Sequence, residues 1–122
     1  MCNLSGFEPP EMNKVRPVIV ISPRLPYRSQ IVSIVPLSTT PPKNEQAFCV
    51  QLKENPNPLK SPEVTCWAKC DMLLNISLNR LSGFKIGRRK WETPHLPPSE
   101  LEQVREGVLH ALGFGGLIKE KF

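Results

Sequence analysis

Several large protein classes are excluded by what this sequence lacks. No run of about 18 apolar residues occurs, so no membrane-spanning helix is expected. The first residues, Met1-Cys2-Asn3-Leu4-Ser5, have neither the basic start nor the apolar core of a signal peptide. There is no glycine-rich phosphate-binding motif, internal repeat or low-complexity tract. Histidine is scarce, at 2 residues. His95 lies among prolines and His110 stands near the end of an expected helix, where an imidazolium suits the helix dipole, so neither is a strong catalytic candidate. A zinc ribbon is not expected either: of Cys2, Cys49, Cys66 and Cys70, only the last two are close. Residues four apart on one strand stand about 13 Å from each other, too far to share a tetrahedral ion. The cysteines read as free and mostly buried thiols, and the chain as a cytoplasmic protein with no membrane partner.

What is present is a chain of 122 residues, 39% hydrophobic and 22% charged, enough for one core and one domain spanning residues 1–122. Its 14 prolines favour short strands joined by rigid turns and argue against a helix bundle. A net charge of +5 and a pI near 9.2 attract polyanions, although such a charge also serves ordinary solubility.

The run Val18-Ile19-Val20-Ile21, bounded by Pro17 and by Ser22-Pro23, predicts a strand covered on both faces at the centre of the sheet. Gln30 to Leu37 predicts a second strand paired with it, ending in the hydroxyl-rich loop Ser38-Thr39-Thr40-Pro41-Pro42. Ala47 to Leu52 reads as a third strand, and residues 53–62 as a loop. Val64 to Met72 alternates Val64, Cys66, Ala68 and Cys70 against Thr65, Trp67, Lys69 and Asp71, the pattern of a strand with one apolar face. A helical turn is expected within Asn75 to Leu81, and a further strand over Phe84 to Trp91 carrying Lys85, Arg88, Arg89 and Lys90. Ser99 and Glu102 match a capping box, and Leu101, Val104, Val108, Leu109 and Leu112 share one face of the helix that follows. Gly113 to Gly116 reads as a helix stop followed by a flexible tail.

Arg16 opens the first long strand and follows Glu11 and Lys14. A guanidinium donates a planar fork to phosphate oxygens and stays charged at physiological pH, so it can stabilise a pentacovalent phosphate. An exposed arginine flanking a strand explains the same residue. Ser38 and Thr39 end the neighbouring strand, where hydroxyls and backbone N–H groups can hold a phosphate or simply make a turn. Lys69 and Asp71, two apart on one expected strand, either set an acid and a base on one face or form a surface ion pair. Trp67, Phe84 and Trp91 either stack bases or fill the core or an interface.

Taken in order, Pro9-Pro10-Glu11, Arg16-Pro17-Val18-Ile19-Val20-Ile21-Ser22-Pro23, Val35-Pro36-Leu37-Ser38-Thr39-Thr40, Lys69-Cys70-Asp71, Arg80-Leu81 and the terminal helix resemble the PemK/MazF toxins of type II toxin–antitoxin systems. The resemblance runs from about Asn3 to Phe114. It implies a mainly β fold, a small SH3-like barrel of the CcdB/MazF type with a C-terminal α-helix, forming a homodimer. It further implies an endoribonuclease that cleaves single-stranded RNA without a metal or other cofactor and is held in check by a cognate antitoxin. On the family's motifs, Arg16, Glu11, Ser38 and Asp71 are the expected catalytic residues, and Lys14, Thr39, Thr40, Lys69 and Arg28 the expected RNA contacts.

The chain departs from the family at three points. Lys69 stands where the PemK branch has Arg and lacks its bidentate fork. Pro10 replaces the polar or His position before the loop's Glu, removing one proposed base. The Gly-containing strand with which the family opens is nearly absent, so a truncated first strand and an exposed sheet edge are expected. Two other functions stay open: a non-catalytic CcdB-like toxin that poisons DNA gyrase, and a decayed toxin that binds RNA or antitoxin without cleaving.

Overall fold

The structure, a computed structural model, describes residues 1–7, 14–23 and 26–118. Its organising element is β4 (Ile31–Ser38), the longest strand. Antiparallel neighbours flank it on both sides: β3 (Val18–Val20) on one, and in succession β7 (Leu74–Ser77) and β6 (Trp67–Lys69) on the other. β5 (Cys49–Gln51) then extends the sheet from β6. Pro36 has no N–H to give to a ladder, yet it sits inside β4. On the side of β4 that changes neighbours, β7 ends its pairing at Ile34 and β6 begins at Leu37, so Pro36 falls in the gap.

Val20 is 42% exposed, and β3 pairs with β4 alone among the described residues, so the apolar run at Val18 marks an outer strand and not the sheet centre. The strand buried on both faces is β4. Ile34 faces one core with Cys2, Leu4 and Ile76, while Val35 and Leu37 face a second with Ile19, Ile21, Leu52, Cys66, Ala68, Cys70, Val104 and Val108. A continuous apolar run identifies burial on two faces only when neighbouring strands also cover them, and chain order does not supply those neighbours.

The first core is closed by β1 (Cys2–Asn3), which pairs with β2 (Val15–Arg16). β1 is as short as the sequence predicts. Cys2 and Leu4 are nevertheless fully buried, and the Arg80 guanidinium donates to the carbonyls of Asn3 and Ser5, so this segment is tied into the body. The second core is closed by α1 (Pro98–Ala111). Gly107 lets the helix come close: a Cβ there would meet Cys70 Sγ at 2.7 Å and Val50 Cγ2 at 2.9 Å. Arg105 Nε donates to the Ile21 carbonyl at 2.9 Å, and Glu100 accepts from Lys53 N–H at 2.7 Å. The expected capping box does not form. The helix begins two residues earlier, with Pro97 at the cap and Pro98 at its first position, so Ser99 already lies inside it. Leu112, expected on the buried face, is 57% exposed, and the place facing the sheet near the helix start is taken by Glu100.

Other boundaries also differ from expectation. The strand predicted over Val64 to Met72 covers only Trp67 to Lys69 and then tightens into a 3₁₀ turn, Cys70–Met72. Cys66, Ala68 and Cys70 are buried as the alternation requires, whereas Val64, expected on the same face, precedes the strand and is 38% exposed. The expected helical turn appears as a 3₁₀ turn, Leu78–Arg80, following β7. The region from Phe84 is a hairpin of two strands, β8 (Phe84–Gly87) and β9 (Lys90–Glu92), because Arg89 adopts a left-handed φ of 58° and reverses the chain. Beyond α1, Gly113 takes a φ of +85° and a one-turn helix, α2 (Gly115–Ile118), stands where a tail without structure was expected.

The fold is therefore mainly β with a C-terminal helix, as predicted, but its sheets do not close into a barrel among the described residues. The hydrogen-bonded path ends at β3 and β5, with β1–β2 and β8–β9 as separate two-stranded sheets. None of the described helices is long and apolar enough to cross a membrane.

Candidate functional site

The C-terminal end of β4 lies beside the junction of β2 and β3. Val18 pairs with Pro36, and the ladder continues as the Leu37 N–H donates to the Pro17 carbonyl at 2.9 Å, which brings Arg16 alongside Ser38. Two residues 22 positions apart thus become neighbours through sheet register. Together with Thr39, Thr40 and Lys60 they line a cavity of about 280 Å³. Its remaining wall comes from Asn55, Asn57 and Cys66, with Met1, Pro17 and Leu37 at the margin.

Arg16 lines this cavity, and its Nε is buried and makes no hydrogen bond among the described residues. A buried cationic donor left without a partner is costly, and an anion entering the cavity would relieve that cost. The Ser38 Oγ accepts from the Thr40 N–H at 3.1 Å, which folds the loop into a hydroxyl-capped turn and leaves the serine O–H available to donate. Thr39 and Thr40 are exposed at the rim.

The opposite wall is built by two successive side-chain turns. Asn55 Oδ1 accepts from Asn57 N–H, and Asn57 Oδ1 accepts from Leu59 N–H, both at 2.9 Å. Both asparagines are about nine-tenths buried, at 8% and 9% exposure. The Lys60 N–H donates to the Asn57 carbonyl at 3.1 Å, placing that cation on the same loop. Burial pushes the Cys66 thiol above its ordinary pKa, and the nearby Lys60 ammonium opposes the rise. Cys70, by contrast, is sealed between the sheet and α1, 3.4 Å from the Val104 carbonyl, and burial pushes its thiol up to about 12. It is inert packing and not a nucleophile.

Of the residues expected from sequence, Arg16, Ser38, Thr39 and Thr40 come together here. Glu11 lies outside the described residues. Lys14 is exposed ahead of β2, where its carbonyl accepts from Leu4 N–H, and it does not line the cavity. Arg28 is exposed beside a turn and also stands apart. Lys69 and Asp71 do not share a strand face as expected, because the strand ends at Lys69 and Asp71 is carried on the following 3₁₀ turn. Ser38 pairs with Trp67 at the other end of β6, so Asp71 points from the far end of that strand. The loop expected over residues 53–62 also supplies a wall of the cavity, Asn55, Asn57 and Lys60, that is not among the expected site residues. The signal was available in Asn55-Pro56-Asn57-Pro58, since asparagines flanking prolines commonly fold into side-chain turns.

Cys2, Cys66 and Cys70 are buried and Cys49 is half-buried, all as free thiols, as expected.

Among solved structures, the Mycobacterium tuberculosis toxin MazF-mt6 has a similar fold, with a TM-score of 0.60 and 21% sequence identity. The match covers 84% of this chain and 91% of that one. No curated protein sequence matches. The model for PemK-like, MazF-like toxins of type II toxin–antitoxin systems matches residues 1–112, nearly the whole chain. Motif order, fold and family match agree, and the chain belongs to the PemK-like, MazF-like toxins of type II toxin–antitoxin systems.

Proposed function

We propose that this toxin is an endoribonuclease and that the Arg16 cavity receives the scissile phosphate of single-stranded RNA. The observation that carries the reading is the buried Arg16 Nε beside the Ser38 hydroxyl, neither donating a hydrogen bond among the described residues. A phosphodiester offers two non-bridging oxygens, which suit the guanidinium fork and the serine O–H together. In the reaction a base takes the proton from the ribose 2′-OH and that oxygen attacks the adjacent phosphorus. The phosphorane gains negative charge, which Arg16 and Lys60 stabilise. The P–O5′ bond then breaks and the leaving oxygen is protonated, giving a 2′,3′-cyclic phosphate and a 5′-hydroxyl. The proton removed from the 2′-OH is matched by the one that O5′ takes from solvent water, so the step needs no metal-bound water.

Asp71 does not line the cavity, and the base in this reading is Glu11, the carboxylate that the family's motif places five positions before Arg16. Regulation by a cognate antitoxin follows from membership of a type II toxin family, and action as a cytoplasmic homodimer completes the reading.

The test is incubation of the purified protein and its Arg16→Ala variant with a mixed RNA pool in the presence of a chelator, followed by end sequencing. Cleavage by the wild type alone, leaving 2′,3′-cyclic ends, is the expected result. Intact RNA with persistent growth arrest on expression would instead support a binding toxin, and intact RNA without growth arrest a decayed one.

A further inference from the structure

The β8–β9 hairpin is not explained by the phosphate cavity. It carries Lys85, Arg88, Arg89 and Lys90, which are all exposed and form no ion pair among the described residues. It hydrogen-bonds to no other strand among those residues, and every residue of β9 is exposed. An isolated two-stranded ribbon is marginal in water, so its retention as an ordered element calls for an anchor and a purpose. The anchor is visible. Phe84 is buried at the base, and Gly83 permits a close crossing, since a Cβ there would meet the Glu92 carbonyl oxygen at 3.0 Å.

The outward face points to the purpose. Lys85 is paired with Trp91, so the two side chains share a face, and the ammonium lies 5.7 Å from the indole centroid. Trp91 is 58% exposed, so it fills no core. A flat aromatic surface flanked by cations is the chemistry that stacks a base while neutralising its phosphate. The base of the hairpin adjoins a groove of about 460 Å³ that is lined by Gly83, Phe84 and Val18 and shares Met1 and Leu37 with the Arg16 cavity, while Lys85 and Trp91 stand on the opposite face of the ribbon from Phe84.

We propose that the outer face of the β8–β9 hairpin is a docking surface for single-stranded RNA flanking the reacting phosphodiester, with Trp91 stacking a base and Arg88, Arg89 and Lys85 holding phosphates. The proposal rests on the RNA reading above. An acidic peptide would also be attracted by the charge, but it offers no base to stack on Trp91.

The test uses the full-length protein and a fluorescent 2′-O-methyl RNA of about 20 nucleotides, longer than a single binding fold covers and uncleavable for want of the attacking hydroxyl. Binding is measured across a salt series. For R88Q/R89Q the affinity at moderate salt should fall about tenfold, and the slope of log affinity against log salt should become shallower by about 1.4, or roughly 0.7 for each of two lost phosphate contacts. Trp91→Ala should weaken binding about fivefold or more with little change in slope, and Trp91→Phe should restore most of it. A short oligonucleotide of about 4 nucleotides, filling only the cavity, should bind all variants like the wild type.

Unchanged affinity and slope in R88Q/R89Q would overturn the proposal. So would normal RNA binding by that variant accompanied by loss of poly-glutamate binding or of self-association, which would make the hairpin a protein-binding face. Failure of cleavage is separable: wild-type protein that binds the long RNA with the predicted slope, yet leaves ordinary RNA intact, retires the nuclease reading and leaves the hairpin assignment standing. Wild-type protein that does not bind the long RNA at low salt removes both.

Discussion

Arg16 and the hairpin arginines carry the same charge in opposite surroundings. The Arg16 Nε is buried beneath a sheet junction and unpartnered among the described residues, whereas Arg88 and Arg89 stand in water at the tip of a ribbon. A buried cation interacts strongly with a charge at one place, because little solvent screens it and its geometry is fixed. An exposed cation interacts weakly with charges over a wide area, and salt screens it. The first arrangement suits a transition state and the second suits a polymer backbone. One basic composition therefore divides into a group expected to govern turnover and a group expected to govern affinity.

The strongest attempt to break that division is Arg16→Ala. RNA cleavage should fall about 100- to 1000-fold, as for removal of a single oxyanion donor, with little change in the salt slope of binding. Arg16→Lys should recover only a small part, because an ammonium lacks the planar fork. Single-turnover cleavage rates across a salt series measure both quantities. A loss that high affinity or low salt restores would show that Arg16 acts as another polymer contact.

A smaller effect, still local to the cavity, is expected at the wall facing Arg16. Asn57→Ala leaves the Leu59 N–H without its acceptor and loosens the turn that presents Lys60. Cleavage should fall about tenfold and stability by about 1 kcal/mol, the usual cost of one lost hydrogen bond. Rates measured at saturating RNA, with thermal melts in parallel, separate the two. A change in binding with no change in turnover would move this wall from the chemistry to base contact.

How far the sequence reveals these two regions depends on what must be known to place each residue. Alternation around Ala68 correctly identifies the buried face of β6, because burial on a strand follows a period of two. The apolar run at Val18 misleads about the centre of the sheet, since strand order is a property of pairing and not of composition. Arg16 and Ser38 are recognisable as a pair through the order of the family's motifs, while the physical cause of their meeting, the register from Val18–Pro36 to Leu37–Pro17, exists only in the fold. Asp71 shows the converse. Two residues of spacing put it on the face of Lys69 only if the strand continues, and the chain tightens at Cys70 where the thiol packs under α1. The basic hairpin is legible as charge, but its reversal needs a left-handed arginine that no propensity argument selects.

The packing beneath α1 provides a control for both regions. Gly107→Leu places a side chain where even a Cβ would be 2.7 Å from Cys70 Sγ, so it should destabilise the protein by about 1–3 kcal/mol through overpacking. Chemical denaturation measures the loss. Well below the melting midpoint, cleavage and the salt slope should both stay near wild type, because α1 supplies none of the residues that line the Arg16 cavity. A specific loss of turnover in a folded Gly107→Leu protein would mean that the sheet transmits strain from the helix to the phosphate site.

The finest distinction falls on Arg89, where backbone and charge pull in opposite directions. Its φ of 58° lies in the left-handed region that costs a side-chain-bearing residue roughly 1 kcal/mol, and glycine adopts it freely. Arg89→Gly should therefore leave the hairpin as stable as before or slightly more so, while removing one cation from its tip. If the tip is a phosphate contact, RNA affinity should fall a few-fold and the salt slope should flatten by about 0.7, even as amide-exchange protection across β8 and β9 is maintained or increased. An arginine kept in an unfavourable conformation for its charge predicts this opposition, whereas one tolerated merely as a turn residue predicts a firmer hairpin with unchanged RNA binding.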